Sequence, residues 1–203
     1  MVKKILSKWY IYILVAASAT TLFCVATSIK TAPSETQKVN FFIGAYNVNV
    51  NKLQDDLMDI KDKNIINITC TYHNLNSDRF SYFYNSFKEN SDFYILPSKY
   101  VEDNKSNTLE YAANLNKNYL NNYFDDELVY YENDGYTKGF KIYDHLSDTG
   151  LLKEYVSYFV NDKEETKDDY YLFFRFSSVN LGETTVKSKT DHALKVIKNM
   201  REL

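Results

Sequence analysis

Residues 9–29, WYIYILVAASATTLFCVATSI, form an uncharged run entered through Lys3, Lys4 and Lys8. Nothing else in the chain limits its folding as strongly. A helix needs about 20 predominantly apolar residues to cross the hydrocarbon core of a bilayer, and nothing charged interrupts this run. Lysines ahead of it and a near-neutral stretch behind it favour an N-terminus held inside the cell. Everything after about residue 30 is therefore expected outside the cytoplasm, membrane-anchored or secreted.

Three forms of this address segment fit the residues: a retained anchor, a cleaved secretory signal and a lipoprotein signal. Ala17-Ser18-Ala19 and Ala26-Thr27-Ser28 each supply the small-x-small pattern of a cleavage site. Cys24 supplies a lipid-attachment cysteine, but Phe23 precedes it where a small residue is needed. Anchor and cleaved signal stay open, and retention is the favoured form.

Beyond the address segment the chain is acidic. Residues 1–30 hold Lys3, Lys4, Lys8 and Lys30 and no acid, so the charge without them goes from −3 to about −7, which argues against nucleic acid or an anionic membrane surface as partner. About 173 residues remain, enough for one domain with its own core. Cys70 is the only cysteine among them, so no intrachain disulfide can brace that domain. An extracellular mammalian domain of this size more often carries paired cysteines, so a bacterial surface protein fits better.

Residues 31–38 read as a polar tether and residues 39–203 as one extracytoplasmic domain. Val39–Tyr46 is an apolar, aromatic strand pattern. Asn51 offers an N-cap with Gln54 as its capping-box partner, and Leu53, Leu57 and Ile60 recur at helical spacing over 52–63. Ile65–Tyr72 returns to strand. Ser77 is expected to cap a helix over 78–90 with an aromatic stripe of Phe80, Phe83, Tyr84 and Phe87, and Phe93–Leu96 is a third strand closed by Pro97. Strand, helix, strand, helix, strand in so short a span predicts a parallel sheet with crossover helices. A helix is expected over 108–123, and a hairpin about Asn133-Asp134-Gly135 between strands 128–132 and 136–143. Then follow a helix over 151–160, a charged solvated linker over 162–169, a buried strand over 170–176, a polar loop over 177–190 and a last helix capped by Thr190 or Asp191.

This order resembles the extracellular solute-binding proteins of ABC importers, sugar-binding type, in a shortened form. The likeness is carried by the β-α-β-α-β opening, by the third-strand pattern Ser91-Asp92-Phe93-Tyr94-Ile95-Leu96-Pro97-Ser98, by the hairpin from Tyr131 to Asp144, and by the late strand and helix at Tyr170–Asn180 and Asp191–Leu203. The resemblance implies an α/β fold: a parallel-sheet core with an added hairpin and a C-terminal strand-helix, similar to one lobe of a periplasmic-binding-protein type II fold. It also implies a non-catalytic protein that hands a small polar solute, a sugar or oligopeptide, to a membrane permease. The alternative is a membrane-anchored scaffold that has lost ligand binding.

Ligands of open parallel sheets sit beyond the carboxyl ends of the strands. That rule nominates Tyr46 and Asn47, then Tyr72, His73 and Asn74, then Ser98, and after the late strand Ser177, Ser178 and Asn180. Amides, hydroxyls and rings of this kind suit a neutral polar ligand. Catalytic and cofactor signals are sparse. His73, His145 and His192 form no close pair, so no metal site is expected. Asp144-His145 with Asp148 can be drawn as an acid–base group but reads more simply as a turn leading into a helix. Asp125-Asp126-Glu127 lacks the alternating spacing of a calcium loop. Cys70 alternates within a strand as a small buried hydrophobe. GxSxG, CxxC and a phosphate-binding glycine loop are all missing from the sequence. Paired carboxylates for glycoside hydrolysis stay open, since the fold sets their spacing.

Overall fold

The computed structural model describes residues 8–31, 33–125, 128–156 and 167–201, and the chain divides into two compact units, Met1–Ser34 and Glu35–Leu203. In the first unit, α1 runs Trp9–Thr31. Its stretch Trp9–Ser28 has a mean hydropathy of 1.8, long and apolar enough to cross a membrane, and a signal sequence meets the same test. The hydroxyls of Ser18, Thr20 and Thr21 donate to the carbonyls of Leu14, Ala16 and Ala17, one turn back. Those bonds leave few polar groups for an apolar solvent to refuse.

In the second unit, parallel strands β1 (Lys38–Ala45), β2 (Asn67–Asn74) and β3 (Phe93–Pro97) alternate with helices α2 (Val50–Asp59) and α3 (Phe80–Phe87). Short helices α4 (Ser98–Asp103), α5 (Lys105–Leu109) and α6 (Lys117–Phe124) follow. Strands β4 (Tyr130–Asn133), β5 (Tyr136–Asp144), β6 (Thr149–Gly150) and β7 (Tyr170–Phe174) then lead to α7 (His192–Met200). The sheet order is β2-β1-β3-β7-β5-β4, with β6 beside β5. β1 pairs in parallel with β2 and β3, while β7 lies antiparallel to both β3 and β5. The architecture is mixed α/β around one central sheet.

From Phe41 to Ala45 β1 is apolar because both of its faces are covered there. Leu53 and Leu57 of α2 join Phe41, Ile43, Leu172 and the Ala193–Ile197 stripe of α7 on one face. Phe80 and Tyr84 of α3 join Phe42, Tyr94, Leu96 and Phe173 on the other. The second layer is mainly aromatic, with Tyr94 stacked on Phe173 at 5.3 Å and Tyr131 edge-on to it at 5.5 Å.

Several local expectations shift. Asn49, not Asn51, caps α2, its side chain accepting from Lys52 N–H at 3.2 Å. Gln54 instead accepts from Cys70 N–H at 2.9 Å, tying α2 to β2. Arg79 rather than Ser77 stands at the N-cap of α3. The helix expected over 108–123 is broken: Ala113 N–H donates to the carbonyl of Phe174 and Leu115 N–H to that of Thr137. The segment there edges the sheet, and Asn116 starts α6 by accepting from Tyr119 N–H. Leu151–Tyr155 is turn, and Val156 bridges to Val48 rather than continuing a helix; residues 157–160 lie outside the described residues. The hairpin forms where expected, with Asp134 at φ 50° and Gly135 at φ 79°, the conformation of a two-residue type I′ turn.

Gly44 lets α3 close on the sheet, since a Cβ there would lie 2.6 Å from both Leu96 Cδ2 and Phe80 Cζ. Exchanging Gly44→Ala is expected to destabilise the domain by about 1–3 kcal/mol, the usual cost of overpacking a tight core. Thermal unfolding of the detergent-solubilised chain checks this, and an unchanged transition would mean that the α3 layer is loosely packed.

Candidate functional site

α2 and α3 follow consecutive strands yet cover opposite faces of the sheet. With order β2-β1-β3, this puts a topological switch point between β1 and β3, at whose carboxyl ends open α/β sheets bind ligands. Tyr46 leaves β1 there. Its carbonyl accepts from the Tyr72 hydroxyl at 3.1 Å and the Asn74 amide at 2.7 Å, while its N–H donates to the Tyr170 hydroxyl at 3.4 Å. Asn47 is exposed beside it. Ser98 opens α4 after β3, its N–H donating to the carbonyl of Asp169 at 2.8 Å. Tyr46, Asn47, Tyr72, Asn74 and Ser98 therefore share one rim of the sheet.

The other nominees sit elsewhere. His73 points back under α3, stacked on Phe83 at 4.1 Å and 9° and near Phe42 and Phe87. Burial lowers the pKa of its imidazole, and Nε2 is buried with no hydrogen-bond partner. It is a fourth ring in an aromatic layer. Ser177, Ser178 and Asn180 follow β7, which runs against β3, so they emerge at the amino edge of the parallel strands. Ser178 donates to the buried carboxylate of Asp92, which also accepts from Asn40 N–H at 2.9 Å and the Asn180 amide at 3.3 Å. The Asn180 amide reaches the carbonyls of Glu35 and Lys38 as well. These are structural bonds. Burial raises the Asp92 pKa against the opposing pull of Ser178 and Asn40.

The carboxyl rim also gathers side chains that were assigned no role from the sequence. β5 runs parallel to β1, so Asp144 and His145 end at this rim, where Asp168 and Asp169 lead into β7. His145 Nδ1 lies 2.8 Å from Asp169 Oδ1, and its N–H donates to the same oxygen. Asp148 instead accepts from the Tyr143 hydroxyl, so the imagined Asp144–His145–Asp148 group does not assemble. Lys141 reaches both Asp144, at 3.0 Å, and Asp169. The stretch 162–169 is thus more than solvated linker at its end: Asp168 accepts from Lys99 N–H at 2.7 Å. Residues 162–166 lie outside the described residues. Acidic clustering in a linker gave no period or motif by which to find this, since the partners are set by strand pairing.

Electrostatics divides these acids. Asp144 is held well below the usual carboxylate range by the Ser147 N–H and then by Lys141. Burial raises Asp169, but Lys141 and His145 outweigh it and hold it low. Asp168 is raised, first by burial. Lys141 loses some hydration, yet Asp169 and Asp144 hold it above the usual lysine range. Burial pushes the Cys70 thiol up to about 12, leaving no thiolate for chemistry. Among the described residues no three His, Cys, Asp or Glu side chains converge as metal ligands, and Asp125 pairs with Lys198 at 3.0 Å. The rim offers hydrogen-bonding amides, hydroxyls and rings around a pre-wired ionic cluster.

The sign of the pH response follows. Depressed carboxyls stabilise above their ordinary value of 3.8 and lose that contribution as pH falls through the depressed values. A raised lysine stabilises below its ordinary 10.5 and loses its contribution only above the raised value. The cluster is therefore intact from about pH 5 to pH 10. Lys141→Met is expected to cost about 1–3 kcal/mol at pH 7 by stranding Asp169, with the deficit shrinking as pH falls below about 4. Melting curves across pH check it, and a deficit equal at pH 3 and pH 7 would sink the assignment.

No protein-family model matches this chain, and neither does any curated protein or any solved structure.

Proposed function

We propose that the chain is an extracytoplasmic solute-binding protein, held at or carried across the membrane by α1, that takes a small neutral polar ligand at the carboxyl rim without making or breaking a bond. The observation that carries this reading is the switch point. Helices on opposite faces part at the ends of β1 and β3, and Tyr46, Asn47, Tyr72, Asn74 and Ser98 stand around that parting. Hydrogen bonds among Tyr46, Tyr72, Asn74 and Tyr170 fix the groups before a ligand arrives, which lowers the ordering cost of binding. Rings and amides so arranged suit a sugar or a short peptide.

The element order supports the same reading. A parallel β-α-β-α-β core, a hairpin, a late strand returning beside β3 and a closing helix are what the likeness to one lobe of an importer's solute-binding protein implies. In that role the partner is a membrane permease, reached through the tether.

Thermal-shift screening of the full chain in nanodiscs against neutral sugars and di- and tripeptides tests the proposal. At least one ligand is expected to raise the melting temperature by several degrees, and Asn74→Ala to weaken its binding at least tenfold by freeing the Tyr46 carbonyl. If no ligand stabilises the chain and pull-down from native membranes retains a protein partner without added solute, the scaffold reading replaces it.

A further inference from the structure

A second recognition surface lies at the opposite end of the sheet, beyond the carboxyl-rim reading. On the α3 side, alternation along the strands gives Lys38 and Asn40 of β1, Asn67 and Thr69 of β2, and Arg175 two residues after Phe173. Phe42, Phe173 and the rings under α3 continue each of these rows inward. α3 and the turn Lys88–Asn90 do not reach over the outermost pairs, and a cavity of about 420 Å³ remains there, bordered by these five side chains with Asn90 and Glu35. That volume falls in the range of about 300–1,000 Å³ found for small-molecule pockets.

Its groups are chemically unsatisfied in a specific way. Arg175 is half-buried, its Nε is buried with no hydrogen-bond partner, and no carboxylate lies within 4 Å of its guanidinium among the described residues. Asp92, the nearest candidate, spends its oxygens on Asn40 N–H, Ser178 and Asn180. Burial lowers the Arg175 pKa, opposed through space by Asp92 first and then by Glu35 and Glu89. Lys38 likewise makes no ion pair with a described residue. The amide nitrogens of Asn40, Asn67 and Asn90 donate to the Asn90 carbonyl, the Thr69 hydroxyl and the Ser86 carbonyl. That leaves three amide oxygens free to accept, on the same cavity wall as two cations without an ion pair among the described residues.

A partly desolvated guanidinium with no ion pair is costly, and a bidentate oxyanion is the group that fits its donor fork. Amide oxygens and the Glu35 carboxylate accept only from donors such as hydroxyls. We propose that this amino-edge cavity binds a small polyhydroxylated acid, its carboxylate or phosphate held by Arg175 and Lys38 and its hydroxyls donating to Asn40, Asn67 and Asn90. Thr69 completes the wall. The site is electrostatic and anion-selective, in contrast to the neutral ligand of the carboxyl rim.

Calorimetric titration of the full chain in nanodiscs with glucuronate, glucose 6-phosphate, inorganic phosphate and glucose tests it. Glucuronate or glucose 6-phosphate is expected to bind at least tenfold more tightly than glucose, and more weakly as salt rises. The better of the two identifies the acid as carboxylate or phosphate. Arg175→Gln should abolish that binding while the melting temperature of the unliganded chain holds or rises, because a stranded charge has been removed. A charge-matched Lys153→Gln exchange on an exposed turn should leave binding intact. Inorganic phosphate binding as tightly as glucose 6-phosphate would overturn the role of the amides. Equal affinity for glucose and glucuronate, binding that survives Arg175→Gln, or no heat with any acid would overturn the proposal. Retention of acid binding in Asn74→Ala separates this outcome from failure at the carboxyl rim.

Discussion

The Asp92 carboxylate is the joint on which the rest of the domain turns. Fully inside the protein, it accepts from Asn40 N–H on β1, from Ser178 after β7, and from Asn180, which also grips the carbonyls of Glu35 and Lys38. Three parts of the chain distant in sequence are held by one side chain. A buried carboxylate is expensive unless each lone pair is matched, so this node tolerates only the arrangement in which β7 lies next to β3. The Arg175 N–H bond to the Asp92 carbonyl, at 3.0 Å, fixes the same register from the backbone side. From that register follow the antiparallel return of β7, the slot for β5 beyond it, and the placing of Asp168 and Asp169 at the rim.

The node also explains why the two ends of the sheet differ in character. At the amino edge the only strongly buried carboxylate among the described residues is consumed internally, and the cations nearby gain nothing from it but a distant field. At the carboxyl edge the acids outnumber the bases, and Lys141 with His145 draws Asp144 and Asp169 into one connected cluster. One sheet thus presents a compensated rim and an uncompensated one. The aromatic layer between them, from Phe42 through Tyr94 and Phe173 to Tyr131, supplies the apolar wall that keeps each set of charges to its own end.

Much of this was legible from periodicity. The strands about Phe42, Cys70 and Tyr94, the amphipathic stripes Leu53–Leu57 and Phe80–Tyr84, and the Asp134-Gly135 turn are local patterns, and local patterns survive folding when both faces of a sheet need covering. What escaped was set by distant pairing. The stretch after Leu109 carries helical spacing, yet it edges β7 because the Phe174 carbonyl needs a donor and Ala113 supplies it. Gln54 fits a capping box by position but serves Cys70 N–H across a crossover. His73 has the composition of a loop ligand, and only the parity of β2 turns it under α3. Strand direction, not parity, moves Ser177, Ser178 and Asn180 to the far edge: the nomination assumed a parallel strand, and β7 runs the other way.

Satisfied and unsatisfied groups make different kinds of binding site, and the two proposed sites are one of each. At the carboxyl rim nearly every polar atom near the switch point already has a partner, so a ligand gains little from any single new bond but finds the groups immobile. Affinity there comes from shape and from ordering costs already met, which favours neutral, ring-stacking solutes and discriminates poorly by charge. At the amino edge the reverse holds. Lys38 and Arg175 make no ion pair among the described residues, so on the proposed reading an oxyanion relieves a standing penalty as well as forming new bonds, and discrimination against neutral molecules is built in. Ionic strength acts on the two ends unequally for the same reason, since screening weakens the unpaired cations and leaves a hydrogen-bonded rim almost untouched. Of the two proposed sites, one would read the hydroxyl pattern of a neutral solute and the other the charge of an acid, with a single aromatic core as the partition between them.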